Sequence, residues 1–172
     1  SAIEAGGAMH EPAIVAVGEI AEDCADAARV RAYEKDIEID VVLADPLPPA
    51  FADARAVKQV FLNLLVNAIK FTPSSGQIHI AVEQAGDMIV ASVADNGPGI
   101  PPDLIDRLLE PFSKRTKDPF TTEKGWGLGL SISKSLIEMQ GGTIGIESVP
   151  GAGTTVTFTL PLAGPAQVAQ SA

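Results

Sequence analysis

The chain has 172 residues, 46% of them hydrophobic and 20% charged, which is enough for one globular domain with a real core. Its net charge of −10 at pH 7 argues against a protein that binds nucleic acid or an anionic membrane through its overall field. One cysteine, Cys24, excludes an intrachain disulfide and a cysteine zinc cluster and fits a reducing, cytoplasmic setting, and no apolar run reaches membrane-spanning length.

The chain predicts interleaved strands and helices with two antiparallel hairpins, and therefore a mixed sheet covered by helices. Asp53 is a suitable cap for the second helix, and the prolines at 46, 48 and 49 predict a loop before it. The small, polar residues 163–172 predict a disordered tail. In chain order the predicted strands are 12–17, 37–43, 77–83, 88–94, 143–148 and 154–160, and the predicted helices are 19–35, 53–71, 101–109 and 128–139.

The second predicted helix has a polar edge beside its apolar stripe. Asn63, Asn67 and Lys70 recur at i, i+4 and i+7, so they lie along one line of the helix surface. They could form an ordinary solvated face, but asparagine is a poor helix former and two on one edge bring no structural gain. Amide oxygens suit Mg²⁺, and a lysine suits phosphate.

A second polar segment follows the strand 88–94. Asp95 ends that strand, and Asn96-Gly97-Pro98-Gly99 turns sharply. This is common turn chemistry. It would also let a half-buried carboxylate accept a hydrogen bond from an exocyclic amine such as that of adenine, while Gly97 and Gly99 allow the backbone close to the ring.

The segment GWGLGL, residues 125–130, opens the last predicted helix. Glycines before a helix N-terminus present free N–H groups to phosphate, although the spacing matches neither a P-loop nor a dinucleotide fingerprint. Basic residues are concentrated just before it, which favours an anion site over a plain glycine hinge. We expect the polar stretch Ser113–Gly125 to be a mobile lid.

Together with Glu110-Pro111-Phe112, these segments resemble the ATP-binding domain of sensor histidine kinases, in the GHKL superfamily of gyrase B, the Hsp90 chaperones and MutL. Five motifs occur in the family's order between about residues 52 and 161: NLLVNAIKF, DNGPGI, EPF, GWGLGL and GAGTTVTFTLP. The resemblance implies the Bergerat-type two-layer α/β sandwich, with a mixed sheet and helices packed on one face. It also implies that residues 1–11 end a dimerisation helix and that 12–162 form the ATP-binding catalytic domain.

The resemblance implies ATP and Mg²⁺ as ligands. It gives catalytic roles to Asn63, Asn67 and Lys70, with both asparagines as metal ligands and Lys70 reaching phosphate. Asp95 would bind the adenine amine and Phe112 would anchor the lid. The full set of implied nucleotide contacts is Phe71, Asp95, Gly97, Gly99, Ile100, Phe112, Lys114, Arg115, Gly127, Leu128, Gly129, Leu130 and Thr155.

The implied function is to position Mg-ATP for γ-phosphoryl transfer to a histidine on a separate dimerisation domain. The next partner would be a response regulator receiver domain. The chain's own histidines, His10 and His79, lack the helical and acidic context of a phosphoacceptor. Asn63 stands where hydrolytic relatives have a glutamate, which disfavours a dedicated hydrolase.

One departure keeps an alternative open. The second position of GWGLGL is usually small or polar in the family, but here it is Trp126. A degenerate domain could bind adenine nucleotide only as a non-catalytic sensor. A pure interaction domain without ligand is disfavoured, because the polar features of the site are all retained.

Overall fold

The computed structural model describes residues 10–110 and 127–171. None of the helices in these two ranges is both long and apolar enough to cross a bilayer. In chain order the elements are β1 (Ala13–Val15), α1 (Val17–Glu34), β2 (Glu38–Leu43), β3 (Ala50–Ala52), α2 (Ala54–Phe71), β4 (Gln77–Ala85), β5 (Met88–Asp95), α3 (Pro102–Leu108), α4 (Gly127–Met139), β6 (Ile144–Val149), β7 (Gly153–Pro161) and α5 (Pro165–Ser171).

Five strands form one mixed sheet in the order β2-β4-β5-β7-β6. The pair β2–β4 is parallel, whereas β4–β5, β5–β7 and β6–β7 are antiparallel. Parallel neighbours need a crossover, and β3 and α2 provide it between β2 and β4. The predicted mixed sheet and both predicted hairpins are confirmed.

The helices pack on one face of this sheet because side chains alternate along each strand. In β4, Ile78, Ile80 and Val82 are buried while the residues between them are exposed. On the buried face, the Phe61 ring of α2 meets the Phe158 ring of β7 edge to face, with centroids 5.1 Å apart. The predicted two-layer α/β sandwich is confirmed.

The small strand β3 was not predicted. The sequence predicts a loop at its place, but Ala50–Ala52 pairs antiparallel with Ala13–Val15. Three residues after a proline-rich segment are too few to show an alternating pattern, so the pairing partner, which is distant in sequence, decides the conformation. The predicted strand 12–17 is also shorter than expected, because α1 already begins at Val17.

The prediction of a disordered tail at 163–172 is wrong for residues 165–171, which form α5. The side chain of Gln167 accepts a hydrogen bond from the Gly164 N–H at 2.6 Å, next to a proline that fits the first helical turn. The Ala163 N–H donates to the Pro49 carbonyl at 3.0 Å, which ties this end of the chain to the loop before β3. The division between residues 11 and 12 stays a prediction.

Cys24 is a buried core residue of α1. Its thiol lies 3.8 Å from the Lys58 carbonyl of α2. Burial raises the pKa of this thiol to about 11, so it stays protonated and unreactive at neutral pH.

Candidate functional site

A cavity opens where α2 meets the ends of β5 and β7. Six of the predicted site residues line it: Asn67, Phe71, Asp95, Gly99, Ile100 and Leu130. Sequence reasoning missed the other five, which are Leu64, Ala68, Pro98, Thr154 and Val156. Leu64, Ala68 and Val156 could have been found from the apolar periodicity of their helix and strand, since a cavity wall is also part of the core face.

Asp95 is the last residue of β5 and the carboxylate of the cavity. Its Oδ1 accepts a hydrogen bond from the Gly97 N–H at 2.9 Å. Burial raises the pKa of Asp95, and backbone hydrogen bonds from Gly97 and Thr154 oppose this without cancelling it. A carboxylate in such a place is a strong acceptor for a donor that enters the cavity.

The loop after Asp95 runs too close to its neighbours to carry side chains at its glycines. A Cβ added to Gly97 would lie 2.9 Å from both Asp95 Oδ1 and the Phe71 carbonyl oxygen. Gly99 has a φ of +82°, and a Cβ there would lie 2.5 Å from the Val149 carbonyl oxygen. The buried Ile100 follows, and its N–H donates to Ser148 Oγ at 2.7 Å. The loop is thereby fixed against the β6–β7 hairpin.

The two asparagines of α2 differ in their surroundings. Asn63 is occupied by protein partners: its Oδ1 accepts from Gln59 at 2.7 Å, and its Nδ2 lies 3.4 Å from both the Gly129 carbonyl and Ser133 Oγ. Asn67 lines the cavity, and its Nδ2 is buried without a hydrogen-bond partner among the described residues. The amide nitrogen of Asn67 is therefore available to donate to a ligand, whereas Asn63 contacts α4.

Lys70 and Phe71 end the polar edge of α2. Phe71 lines the cavity. Lys70 is exposed and does not line it; its Nζ lies 5.7 Å from the centre of the Phe71 ring. The lysine therefore lies beside the phenylalanine, outside the lining of the cavity.

Helix α4 faces Asn67 with a glycine. A Cβ added to Gly129 would lie 3.4 Å from Asn67 Nδ2, so the glycine leaves this side of the asparagine open. Leu130 is buried and lines the cavity. Gly127 and Leu128 form the start of α4, but the Leu128 side chain lies outside the described part, as do Phe112, Lys114, Arg115, Trp126 and the whole predicted lid.

The predicted contact from Thr155 is not in the cavity. The structure places Thr154 there instead, opposite Asp95 in the β5–β7 ladder. Because side chains alternate along a strand, Thr155 points to the other face of the sheet. The alternation of the apolar residues Val156, Phe158 and Leu160 with threonines was the sequence signal that could have separated Thr154 from Thr155.

Known proteins resemble this chain over the segment that forms the cavity. A family model described as "Histidine kinase-, DNA gyrase B-, and HSP90-like ATPase" matches residues 52–164. The "Non-motile and phage-resistance protein" of Caulobacter vibrioides is 43% identical over 166 residues, which are 94% of this chain and 20% of that protein. The "Adaptive-response sensory kinase SasA" of Prochlorococcus marinus is 39% identical over 75% of this chain and 35% of its own length. The chain thus spans a fifth to about a third of these curated relatives.

Solved structures have the same fold. Full-length ShkA in complex with AMPPNP superposes with a TM-score of 0.77 at 34% identity, covering 89% of this chain and 31% of that one. The histidine kinase ThkA in complex with response regulator protein TrrA superposes with a TM-score of 0.74 at 28% identity, covering 90% of this chain and 42% of that one.

Gly99→Ala tests how tightly the loop beside Asp95 is built. We expect it to lower the free energy of unfolding by about 2–4 kcal/mol, since the added carbon is disfavoured at positive φ and also meets backbone. Gly86→Ala is the matched control: its φ is +62° but no atom lies within 4 Å, so it should cost about 1 kcal/mol. Equal losses in urea unfolding would contradict the close approach of the loop to Val149.

Proposed function

Because this chain belongs to the histidine kinase-, DNA gyrase B- and HSP90-like ATPase family, we propose that it positions Mg-ATP for phosphoryl transfer to a histidine on another domain. It is the type of ATP-binding domain found in sensor kinases. The observation that carries the proposal is that one cavity is lined both by the Asp95 carboxylate and by Asn67, whose amide nitrogen has no partner among the described residues.

Asp95 is proposed to select the base. The exocyclic amine of adenine can donate to a carboxylate, and the partial burial of Asp95 strengthens such a bond. A hypoxanthine or guanine base has a carbonyl oxygen in the same place, which would face a negative charge. Apolar neighbours, Ile100 and Val156 among them, can pack against the ring. The cavity therefore fits adenine better than the other purines.

The Asn67 side of the cavity is proposed to hold Mg²⁺ and the phosphates. The buried Nδ2 of Asn67 lacks a partner among the described residues and can donate to a phosphate oxygen, while the amide oxygen is a suitable Mg²⁺ ligand. Mg²⁺, when bound, neutralises charge that develops on the phosphates. Helix α4 begins at Gly127 and its Gly129 lies beside Asn67, so its first N–H groups can serve the phosphates there, and Lys70 adds a positive charge beside Phe71. Asn63 acts by holding Gly129 in place.

The acceptor histidine is proposed to come from a separate dimerisation domain. The chain's own histidines are both away from the cavity: His10 Nδ1 lies 3.9 Å from Asp53, and His79 Nδ1 lies 2.6 Å from Asp40 on the open face of the sheet. The complex of ThkA with TrrA supports, by analogy, a response regulator as the next partner. Asn63, an amide, cannot act as the base that a water-activating hydrolase needs.

Asp95→Asn should weaken ATP binding without weakening the fold. We expect affinity for ATP with Mg²⁺ to fall by about 10- to 100-fold, because a hydrogen bond to a charged group contributes about 1.5–3 kcal/mol. Burial raises the pKa of Asp95, so folding disfavours its ionised form. The resulting loss in the free energy of unfolding is absent at pH values below the unfolded-state pKa and complete at pH values above the raised pKa. At pH 7 the variant should therefore unfold at the same or a higher urea concentration than the wild type.

Calorimetry with ATP and urea unfolding measure the two effects. Asp87→Asn, the same change in the turn just before β5, is the matched control and should leave affinity unchanged. Wild-type affinity in Asp95→Asn would show that the base is bound elsewhere.

Asn67→Ala and Asn63→Ala separate a metal ligand from a residue that holds α4. With Mg²⁺, Asn67→Ala should lower ATP affinity by about tenfold more than it does in excess EDTA, because only the first condition uses the metal bond. Asn63→Ala should lower it by a similar factor in both conditions. Equal losses for Asn67→Ala with and without Mg²⁺ would assign this residue a purely structural role.

The chain alone should not label itself with radioactive ATP. Acid-labile phosphate should appear only after addition of the cognate dimerisation domain, on that domain's histidine. A protein that binds ATP but transfers phosphate to no dimerisation domain in a panel would instead be a nucleotide sensor. Label on His10 or His79, identified by its loss in His10→Gln or His79→Gln, would contradict the requirement for a separate acceptor.

A further inference from the structure

We propose that Lys35, which lies outside the cavity, is a positioning residue that sets the base specificity of the site. Lys35 follows the last residue of α1, and its side chain extends to the end of α2. The proposal rests on the proposed function, since it concerns how the nucleotide base is recognised.

The ammonium group of Lys35 binds the C-terminal carbonyls of α2. Its Nζ donates to the carbonyl oxygens of Ile69 at 2.8 Å, Lys70 at 3.3 Å and Thr72 at 2.8 Å. The last carbonyls of a helix have no partner within the helix, and they carry the negative end of its dipole. An ammonium has three donors, and all three are used here. The last turn of α2 is thus closed by a charge from another helix.

The main chain around Lys35 holds the turn that follows α2. The Lys35 carbonyl accepts from the Ser75 N–H at 3.2 Å, and the Glu38 N–H donates to the Gly76 carbonyl at 3.2 Å. The turn between α2 and β4 is therefore attached to the end of α1 by backbone and side chain together.

Further contacts connect this turn with Phe71 and Asp95, at the end of the cavity where the base is proposed to bind. Phe71, which lies among the three bound carbonyls, lines the cavity. Its own carbonyl oxygen lies against Gly97, whose N–H donates to Asp95 Oδ1 at 2.9 Å. Asn96 is joined to Gln77 by two hydrogen bonds, of 2.9 and 3.3 Å, so the loop after β5 is linked to the start of β4, directly after the turn that follows α2.

Phe71 and Asp95 are two walls of the same cavity, and Lys35 holds the first of them against the loop that carries the second. If the three bonds from Lys35 are lost, the last turn of α2 has to find other donors, and Phe71 shifts relative to Asp95. A hydrogen bond between amine and carboxylate is directional and weakens steeply with misalignment. Phosphate and metal contacts at Asn67, one turn earlier, are less affected. The expected result is a loss of base discrimination rather than of nucleotide binding as such.

The test compares Lys35→Met, which keeps the length of the side chain but removes its donors, with Lys35→Arg, which restores donors. Calorimetry with Mg²⁺ gives the affinity for ATP and for inosine triphosphate, whose base has a carbonyl where adenine has its amine. We expect Lys35→Met to lower the ratio of the two affinities by about fivefold, and Lys35→Arg to return it to within about twofold of the wild type. Lys58→Met, on the exposed side of α2, is the matched control and should leave the ratio unchanged.

The outcomes separate this proposal from the function on which it rests. Wild-type protein that binds neither nucleotide would contradict the proposed function. Wild-type protein that prefers ATP, with the same preference in Lys35→Met, would overturn the role of Lys35 and leave it only a helix cap, even if the variant melts earlier. If Lys35→Met does not fold, Lys35→Gln, which keeps two donors on a shorter neutral side chain, is measured against the same criterion.

Discussion

Helix α2 packs its apolar stripe against the sheet and lines the cavity with the polar edge of that stripe. The arrangement of the cavity therefore depends on how this helix is held. Its apolar stripe, with Phe61 and Leu65 fully buried, fixes the rotation of the helix against the sheet. Packing of apolar side chains does not by itself fix where a helix begins and ends along its axis. The two ends of α2 are instead fixed by polar contacts. As a result Asn67, on the edge of the stripe, reaches a defined place in the cavity.

The start of α2 is held by Asp53 and by the far end of α4. The Asp53 side chain accepts from the N–H groups of Arg55 at 2.9 Å and Glu11 at 3.0 Å, while its own N–H donates to Gln140 Oε1 at 2.9 Å. Further along, Asn63 contacts the beginning of α4. The helices therefore run antiparallel with polar contacts at both ends of their interface. This fixes Gly129 opposite Asn67, which neither helix could achieve alone.

The elements that the sequence predicted well are those with strong local signals. Asp53 caps α2 and the helix ends before Thr72, as composition and periodicity indicate. The short strand β3 and the helix α5 have weak local signals and depend on contacts with distant parts of the chain, so they were missed.

For the candidate site, motif order predicted six residues that the fold brings to one cavity, but not the contacts that each of them makes. Thr154 and Thr155 are adjacent and chemically identical, so motif order does not tell them apart, whereas the register of β7 against Asp95 does. Likewise Asn63 and Asn67 are equivalent on a helical wheel. Their difference arises from Gln59, Gly129 and Ser133, which only the folded structure brings together.

Buried polar atoms without partners show why local rules alone do not identify a ligand site. Among the described residues, two such side-chain atoms occur, Asn67 Nδ2 and Thr72 Oγ1. Thr72 is fully buried at the corner after α2, where its methyl group packs against Gly76, and it does not line the cavity. Its free hydroxyl is a local cost of a tight corner. Asn67 has the same defect but faces a cavity that also contains a carboxylate with a raised pKa. The unpaired Nδ2 of Asn67 and the partly buried charge of Asp95 are each unfavourable alone, and a single ligand with an amine at one end and a phosphate at the other would offset both.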